Sequence, residues 1–303
     1  MRTLRGSARS PSAATPLVSG GLPRADAPEH LAAHEAAQPG RVLGLTRAGV
    51  WVLFLLAAAN GLFLYLVPGR AATDYAWSVQ PAVNGAFIGA GFLAGTLATG
   101  LVLWRATRWR SFSLLPPALW VLAATLLAAT ILHEDRFKWD YPLTWVWALV
   151  YAGVPVAIPF LVARQRRVAA GLPAADPALG VLRALSGIAG AGLIAGAAAL
   201  YVAPVELGEH WLWALTPLLA RAVAAWYMLF GTMLLTFALA QRRPFEGLVG
   251  YATLAAWCVL LLALPLLHAG DVSGGSAWYA LMVALLGLAL YGLRVAWPER
   301  DRL

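Results

Sequence analysis

The stretch Leu64–Thr96, LYLVPGRAATDYAWSVQPAVNGAFIGAGFLAGT, is written a second time at Leu200–Thr232 as LYVAPVELGEHWLWALTPLLARAVAAWYMLFGT. Leu64, Tyr65, Pro68, Trp77, Pro81, Gly95 and Thr96 fall without a gap on Leu200, Tyr201, Pro204, Trp213, Pro217, Gly231 and Thr232. Trp and Pro are too rare for three such coincidences at one offset of 136 residues to be accidental. Each copy has the form of one apolar helix ending, a short polar link, and the next helix beginning. The pattern predicts an all-α polytopic membrane helix bundle built by duplication.

Composition agrees with a membrane setting. Of 303 residues, 61% are hydrophobic and only 12% charged, too few charges to cover a water-facing surface. From Arg47 onward the apolar runs approach the roughly 20 residues a helix needs to cross a bilayer. They predict eight spans, at 49–67, 82–104, 114–132, 143–163, 183–203, 217–239, 248–267 and 277–296. Pro68, Pro81, Pro142, Pro204 and Pro217 stand at span edges, where a missing N–H or a chain turn is tolerated. Four spans separate the two copies, an even number, so the halves have the same orientation: two parallel four-helix repeats, 47–172 and 173–303. The second part of each repeat is fainter. Trp120–His133, WVLAATLLAATILH, is echoed by Trp257–His268, WCVLLLALPLLH, with a two-residue slip.

The net charge of +8 rests on 21 Arg and the single Lys138. Eighteen of these lie in alternate loops on the side of the amino terminus, against Arg70, Arg136 and Lys138 opposite, with Arg221 inside a span. By the positive-inside rule both termini are cytoplasmic, and the basic charge reports topology rather than nucleic acid. Residues 1–46, rich in Ala, Pro, Ser and Arg, are expected to form a disordered cytoplasmic tail. Within it Glu29, His30, His34 and Glu35 share one face of any short helix, but without the HExxH pattern. The one cysteine, Cys258, lies in an apolar run and excludes an intramolecular disulfide or a cysteine metal cluster.

The opposite, outer side collects the remaining ionisable groups. His133, Glu134, Asp135 and Arg136 form one run, Glu206, Glu209 and His210 a second, and His268 closes the seventh span. Imidazoles beside carboxylates suit a divalent cation or a charged ligand, and equally a solvated loop with pairs such as Asp135 with Arg136 or Lys138. His133 and His268 end equivalent helices, which admits a haem held across the pseudo-twofold axis; capping of helix ends is the alternative. Arg221, one turn beyond Pro217, either snorkels to the interface or meets Glu206, Glu209, Asp135 or an anionic ligand. Asn60, Gln80 and Asn84 are expected in interhelical hydrogen bonds. Trp77, Trp139, Trp145, Trp147, Trp211, Trp213 and Trp278 fall near the outer boundary and fit an interfacial aromatic belt, with a quinone or lipid pocket as the other option. Small-residue faces on the second span (Gly85, Gly89, Gly91, Gly95, Gly100) and the fifth (Ser186, Gly190, Gly192, Gly196) predict close helix packing.

The absences constrain function. No Asp or Glu lies within a predicted span, which argues against a carboxylate proton relay. Walker, GxSxG and HExxH motifs are missing as well. Ala76–Pro81, AWSVQP, followed by a glycine-rich helix, and Ile131–Phe137, ILHEDRF, followed by Trp145–Trp147, WVW, resemble an uncharacterised group of bacterial eight-helix membrane proteins. The resemblance covers most of the first repeat. It implies the architecture and a place in the cytoplasmic membrane, and it carries no activity. Three classes of function remain. One is a protein binding or transporting a small or lipidic ligand from the outer face between the repeats. Another is an assembly subunit holding a membrane-protein partner, or a second copy of itself, through its small-residue faces. The third is an outer-face metal- or haem-dependent redox enzyme.

Overall fold

The computed structural model describes residues 40–167 and 174–303. The expected tail, including Glu29, His30, His34 and Glu35, therefore lies outside the described residues apart from its last few positions. Eight long helices follow in order: α1 (Gly44–Leu66), α2 (Ala82–Trp104), α3 (Leu115–Leu132), α4 (Pro142–Arg166), α5 (Gly180–Val202), α6 (Pro217–Ala240), α7 (Leu248–Leu267) and α8 (Ser276–Ala296). All eight are long and apolar enough to cross a bilayer, so the chain is an integral membrane protein of the multi-pass kind. The surface agrees: Leu266 is 85% exposed and Val202 79%, side chains that a lipid environment accommodates and water does not.

The predicted spans match these helices to within a few residues, and the departures have physical causes. α1 begins at Gly44 rather than near 49, because Gln165 of α4 ties its start down. The Gln165 Oε1 accepts from Leu43 N (3.1 Å) and Thr46 Oγ1 (3.2 Å), and its Nε2 donates to Arg41 O (2.7 Å). Arg47 and Arg183, counted above with the loops, lie in the first turns of α1 and α5. Each reaches the C-terminal carbonyls of the next long helix, Arg47 donating to Leu103 O and Arg183 to Ala238 O at 2.7 Å. A guanidinium there satisfies the carbonyls that a helix end leaves without partners.

α2, α3, α6 and α7 make the core. α2 packs on α1 and α7, and α6 on α5 and α3; α4 covers α3 and α8 covers α7. Small residues let α2 and α6 approach their neighbours. A Cβ on Gly89 would stand 2.5 Å from Tyr65 N, and Gly190 and Gly231 each face the other's carbonyl oxygen at 2.7 and 2.9 Å from such a Cβ. Between the inner helices Phe87, Tyr227, Phe230 and Trp257 interlock, with Phe230 stacked on Trp257 at 4.2 Å. α1 and α5 are both 23 residues long, and the steps from Gly44 to Gly180 and from Leu66 to Val202 are each 136.

The links sort into two ends. At one, the histidine end, the α1–α2 and α3–α4 links meet through the Trp77–Phe137 backbone bridge, and the α5–α6 and α7–α8 links through Ser273 N donating to Leu212 O at 2.9 Å. At the other, the arginine end, Glu246 is fully buried. It accepts from Arg110 and from the backbone N–H of Arg242 (2.7 Å) and Arg243 (3.1 Å). Arg243 pairs in turn with Glu299 at 2.8 Å, and Arg302 reaches the same carboxylate at 3.3 Å. These ion pairs gather both halves of the chain at one end.

Candidate functional site

Arg221 is positioned by the start of α6. Thr216 caps the helix, its hydroxyl accepting from Leu219 N at 3.3 Å, and places Arg221 one turn in, facing the end of α3. There α3 terminates at His133, and the chain turns through Glu134–Arg136 toward Phe137. The Arg221 Nη1 donates to His133 Nε2 at 2.7 Å, and its guanidinium carbon lies 5.7 Å from the centre of the Tyr201 ring. None of the acids foreseen as partners, Glu206, Glu209 or Asp135, pairs with it among the described residues. The Arg221 Nε–H is buried without a partner.

Arginine only donates, so Nε2 of His133 carries the lone pair and the imidazole is neutral with its proton on Nδ1. Burial, and then the Arg221 charge, hold the His133 pKa below its ordinary value, against a smaller opposite pull from Asp135. With Nε2 engaged, this arrangement offers no free ligand atom on that side of His133 to a haem iron. His268 Nδ1 lies 4.0 Å from the Asp271 carboxylate. No three His, Cys, Asp or Glu among the described residues are placed to hold one metal ion.

Among the described residues, side-chain contacts join the nine candidates named from sequence as Arg221 with His133, Asp135 with Arg136 and His210 with Glu206. Glu134, Asp135 and Arg136 are exposed, and Asp135 pairs with Arg136 at 3.0 Å, as one of the two expected pairings had it. Lys138 is directed elsewhere, its ammonium donating to Ala72 O (3.0 Å) and Thr73 O (2.7 Å). Glu206 and Glu209 are exposed, and His210 Nδ1 lies 2.9 Å from Glu206 O on the rim of a crevice.

The aromatic belt needs correction. Trp139 and Trp145 are exposed, but Trp77 is 2% and Trp213 3% exposed, and Trp147 and Trp278 are buried too. Their indole N–H groups point inward: Trp213 to Asn84 Oδ1 (2.8 Å), Trp147 to Thr130 Oγ1 (3.1 Å) and Trp278 to Tyr227 Oη (2.8 Å). A tryptophan near a membrane boundary has the same sequence context whether it faces lipid or core. Asn84 bonds across the bundle, though to the α5–α6 link rather than to another helix, donating also to Ala214 O at 3.0 Å. Asn60 donates within its own helix to Leu56 O (2.9 Å), and Gln80 is exposed.

The lateral crevices were foreseen only as the quinone or lipid pocket set against the aromatic belt, and three of those tryptophans, Trp147, Trp211 and Trp278, line them. One crevice, of about 1020 Å³, opens between α5 and α8. It is lined by Ile188, Gly192, Gly196, Ala284 and Leu288, with His210 and Trp211 at its histidine-end mouth. A Cβ added at Gly192, Gly196 or Gly287 would meet nothing within 4 Å. The Trp211 Nε1–H is buried and has no partner among the described residues. A second crevice of about 470 Å³ lies along α1 and α4, lined almost wholly by apolar residues and reaching Trp226 of α6. It shares Leu56 and Val150 with a third, a chamber of about 330 Å³ near the histidine end. Arg221 and His133 line none of the three. Paired helices α5–α8 and α1–α4 touch only lightly, which leaves these spaces. No protein-family model matches this chain, and neither a curated protein nor a solved structure is matched by it.

Proposed function

We propose that this chain is a duplicated membrane protein that binds a lipidic molecule from the bilayer in the crevice between α5 and α8, its polar end at His210 and Trp211. The observation that carries the reading is the Trp211 Nε1–H, buried without an acceptor at the mouth of a large apolar space. A buried donor without a partner is costly, and an ester or carbonyl oxygen at the head of a long-chain molecule would satisfy it. The proposed duplication is supported by polar contacts that recur at nearly the same offset. Tyr65 donates to Leu260 O at 3.0 Å and Tyr201 to Thr125 O at 2.9 Å, each tying one half to the other. The Arg47 and Arg183 contacts repeat in the same way. The excess of Arg at one end supports cytoplasmic termini and, with them, a crevice mouth toward the outer leaflet.

A transport path between the halves, with Arg221 and His133 at its mouth, has weaker support. The halves meet through Phe87, Tyr227, Phe230 and Trp257, and the pair lines none of the crevices. The assembly-subunit reading retains one observation in its favour, the open space above Gly192 and Gly196, which a partner's helix would fill as well as a lipid.

Native mass spectrometry from mild detergent tests both. A retained lipid is expected on the wild type and is lost when Gly192→Leu and Gly196→Leu fill the crevice, with thermal stability unchanged because the new side chains enter open space. Equal retention by the double variant rules the crevice out. A stoichiometric protein released by the same substitutions favours the subunit.

A further inference from the structure

We infer that the chamber between the histidine-end parts of α1 and α4 is a binding site for the ring of a quinone, whose isoprenoid tail occupies the apolar crevice continuing along the same two helices. The inference rests on the reading that the lateral crevices take amphiphiles, but it uses residues separate from the α5–α8 crevice.

The chamber is aromatic on its walls and supplies hydrogen-bond donors at its polar points. Phe63, Tyr75, Phe92, Tyr141, Trp147 and Tyr151 line it, with Asn60 on one side. Tyr75 is 5% exposed and Tyr151 6%. Trp147 lies 4.0 Å from the Tyr151 ring and 5.9 Å from that of Tyr75, and Phe63 stacks on Tyr75 at 6.5 Å. The polar atoms are poorly matched to one another. Tyr75 donates to Asn60 Oδ1 at 3.4 Å, near the outer limit of a hydrogen bond. One proton of the Asn60 amide goes to Leu56 O, and the second meets no acceptor among the described residues. Tyr151 lines the chamber, whereas the Trp147 N–H is already taken by Thr130. Burial pushes the Tyr75 phenol well above its ordinary pKa, so it stays a protonated donor.

Several donors in an apolar aromatic box call for a neutral, flat molecule bearing acceptor oxygens. The carbonyl oxygens of a quinone meet that description. An organic cation does not. The one carboxylate at the chamber, Asp74, is paired with Arg70 at 2.6 Å, and the Lys138 ammonium sits on the neighbouring Thr73 carbonyl. The tail has a route as well: Leu56 and Val150 belong to both the chamber and the 470 Å³ crevice, and beyond them Gly153 leaves open space on α4.

The test is calorimetric titration of the purified protein in detergent with a benzoquinone carrying a ten-carbon chain, and with the same ring lacking the chain. The expected result is saturable binding of the chained quinone, weakened about five-fold by Tyr151→Phe, the loss of one hydrogen bond worth about 1 kcal/mol. Gly153→Leu, which fills only the tail crevice, should weaken the chained quinone and leave the bare ring unaffected. Tyr151→Phe is isosteric, so its thermal stability should match the wild type. Absence of saturable quinone binding overturns the inference, as does an unchanged affinity in Tyr151→Phe. If quinone binding responds to Gly192→Leu in place of Tyr151→Phe, the assignment to the α1–α4 chamber is wrong. A protein that keeps a glycerolipid sensitive to Gly192→Leu, yet binds no quinone, leaves the proposed function standing and removes this inference alone.

Discussion

A histidine that accepts a hydrogen bond from an arginine has to be neutral, and this makes the Arg221–His133 contact sensitive to acid. The His133 pKa is held down in the folded protein by burial and by the guanidinium. Below the ordinary histidine pKa of about 6.5 the unfolded chain takes up a proton that the folded chain refuses. Stability is therefore unaffected by this residue well above that pH, and falls as pH drops from about 6.5 toward the lower folded value. His133→Gln keeps an acceptor for Arg221 and removes the titration. The melting midpoint of the wild type, measured in detergent from pH 8 to pH 5, should fall more steeply on acidification than that of His133→Gln. Identical profiles would mean that folding leaves the proton affinity of His133 unchanged, against the burial and Arg221 charge that hold it down. The sequence singled out both residues but not their pairing, because electrostatic reasoning looks first for a carboxylate beside an arginine. The imidazole became the partner through the meeting of two helix ends, one from each half of the chain.

Among the elements, glycines of similar appearance in sequence have different work. Gly89 and Gly95 both lie on α2 at small-residue spacing, yet a Cβ at Gly89 would strike the backbone of Tyr65 and Leu64, whereas at Gly95 the nearest atom is Ala57 Cβ at 3.9 Å. Gly89→Ala should force α1 and α2 apart at a cost of about 2 kcal/mol, and Gly95→Ala should change stability by less than about 0.5 kcal/mol. Comparing thermal stability of the two variants in one detergent checks the difference; equal losses would show that α2 packs through a broader face. Gly231, 136 residues on from Gly95 and aligned with it in sequence, is by contrast tightly held against Ile194 and Gly190. Helix number and boundaries were legible because apolar length and flanking proline are local properties. Which small face is occupied, which tryptophan turns inward, and where two helices stand apart to leave a crevice are properties of pairs of elements. Those are absent from any single segment. The buried Glu246 belongs to the same class: its neighbours in sequence give no sign that Arg110 closes on it from 136 residues away.

For the molecule as a whole, the proposed duplication and the proposed orientation make a joint demand: every link at the histidine end must face one side of the membrane and every link at the arginine end the other. Cys258 makes this measurable in an almost native chain. It is the only cysteine, and it is fully buried within α7, out of reach of a water-soluble thiol reagent. Single cysteines introduced on that background report their own surroundings. Ser273 is exposed in the α7–α8 link at the histidine end, and Ala175 is exposed before α5, where the neighbouring Asp176 N donates to Arg242 O at the arginine end. With cytoplasmic termini, Ser273→Cys should react with a membrane-impermeant maleimide in intact cells, and Ala175→Cys only after the membrane is opened. The wild type should remain unlabelled in both conditions. Reversed labelling would invert the protein and place the Trp211 mouth and the aromatic chamber in the cytoplasmic leaflet, though both crevices would keep their geometry. Labelling of both positions from outside would be incompatible with eight membrane crossings, because the link before α5 and the link before α8 are separated by three helices, an odd number. The experiment thus tests the helix count, the sidedness and the leaflet from which a lipidic ligand enters, and each failure has a different signature.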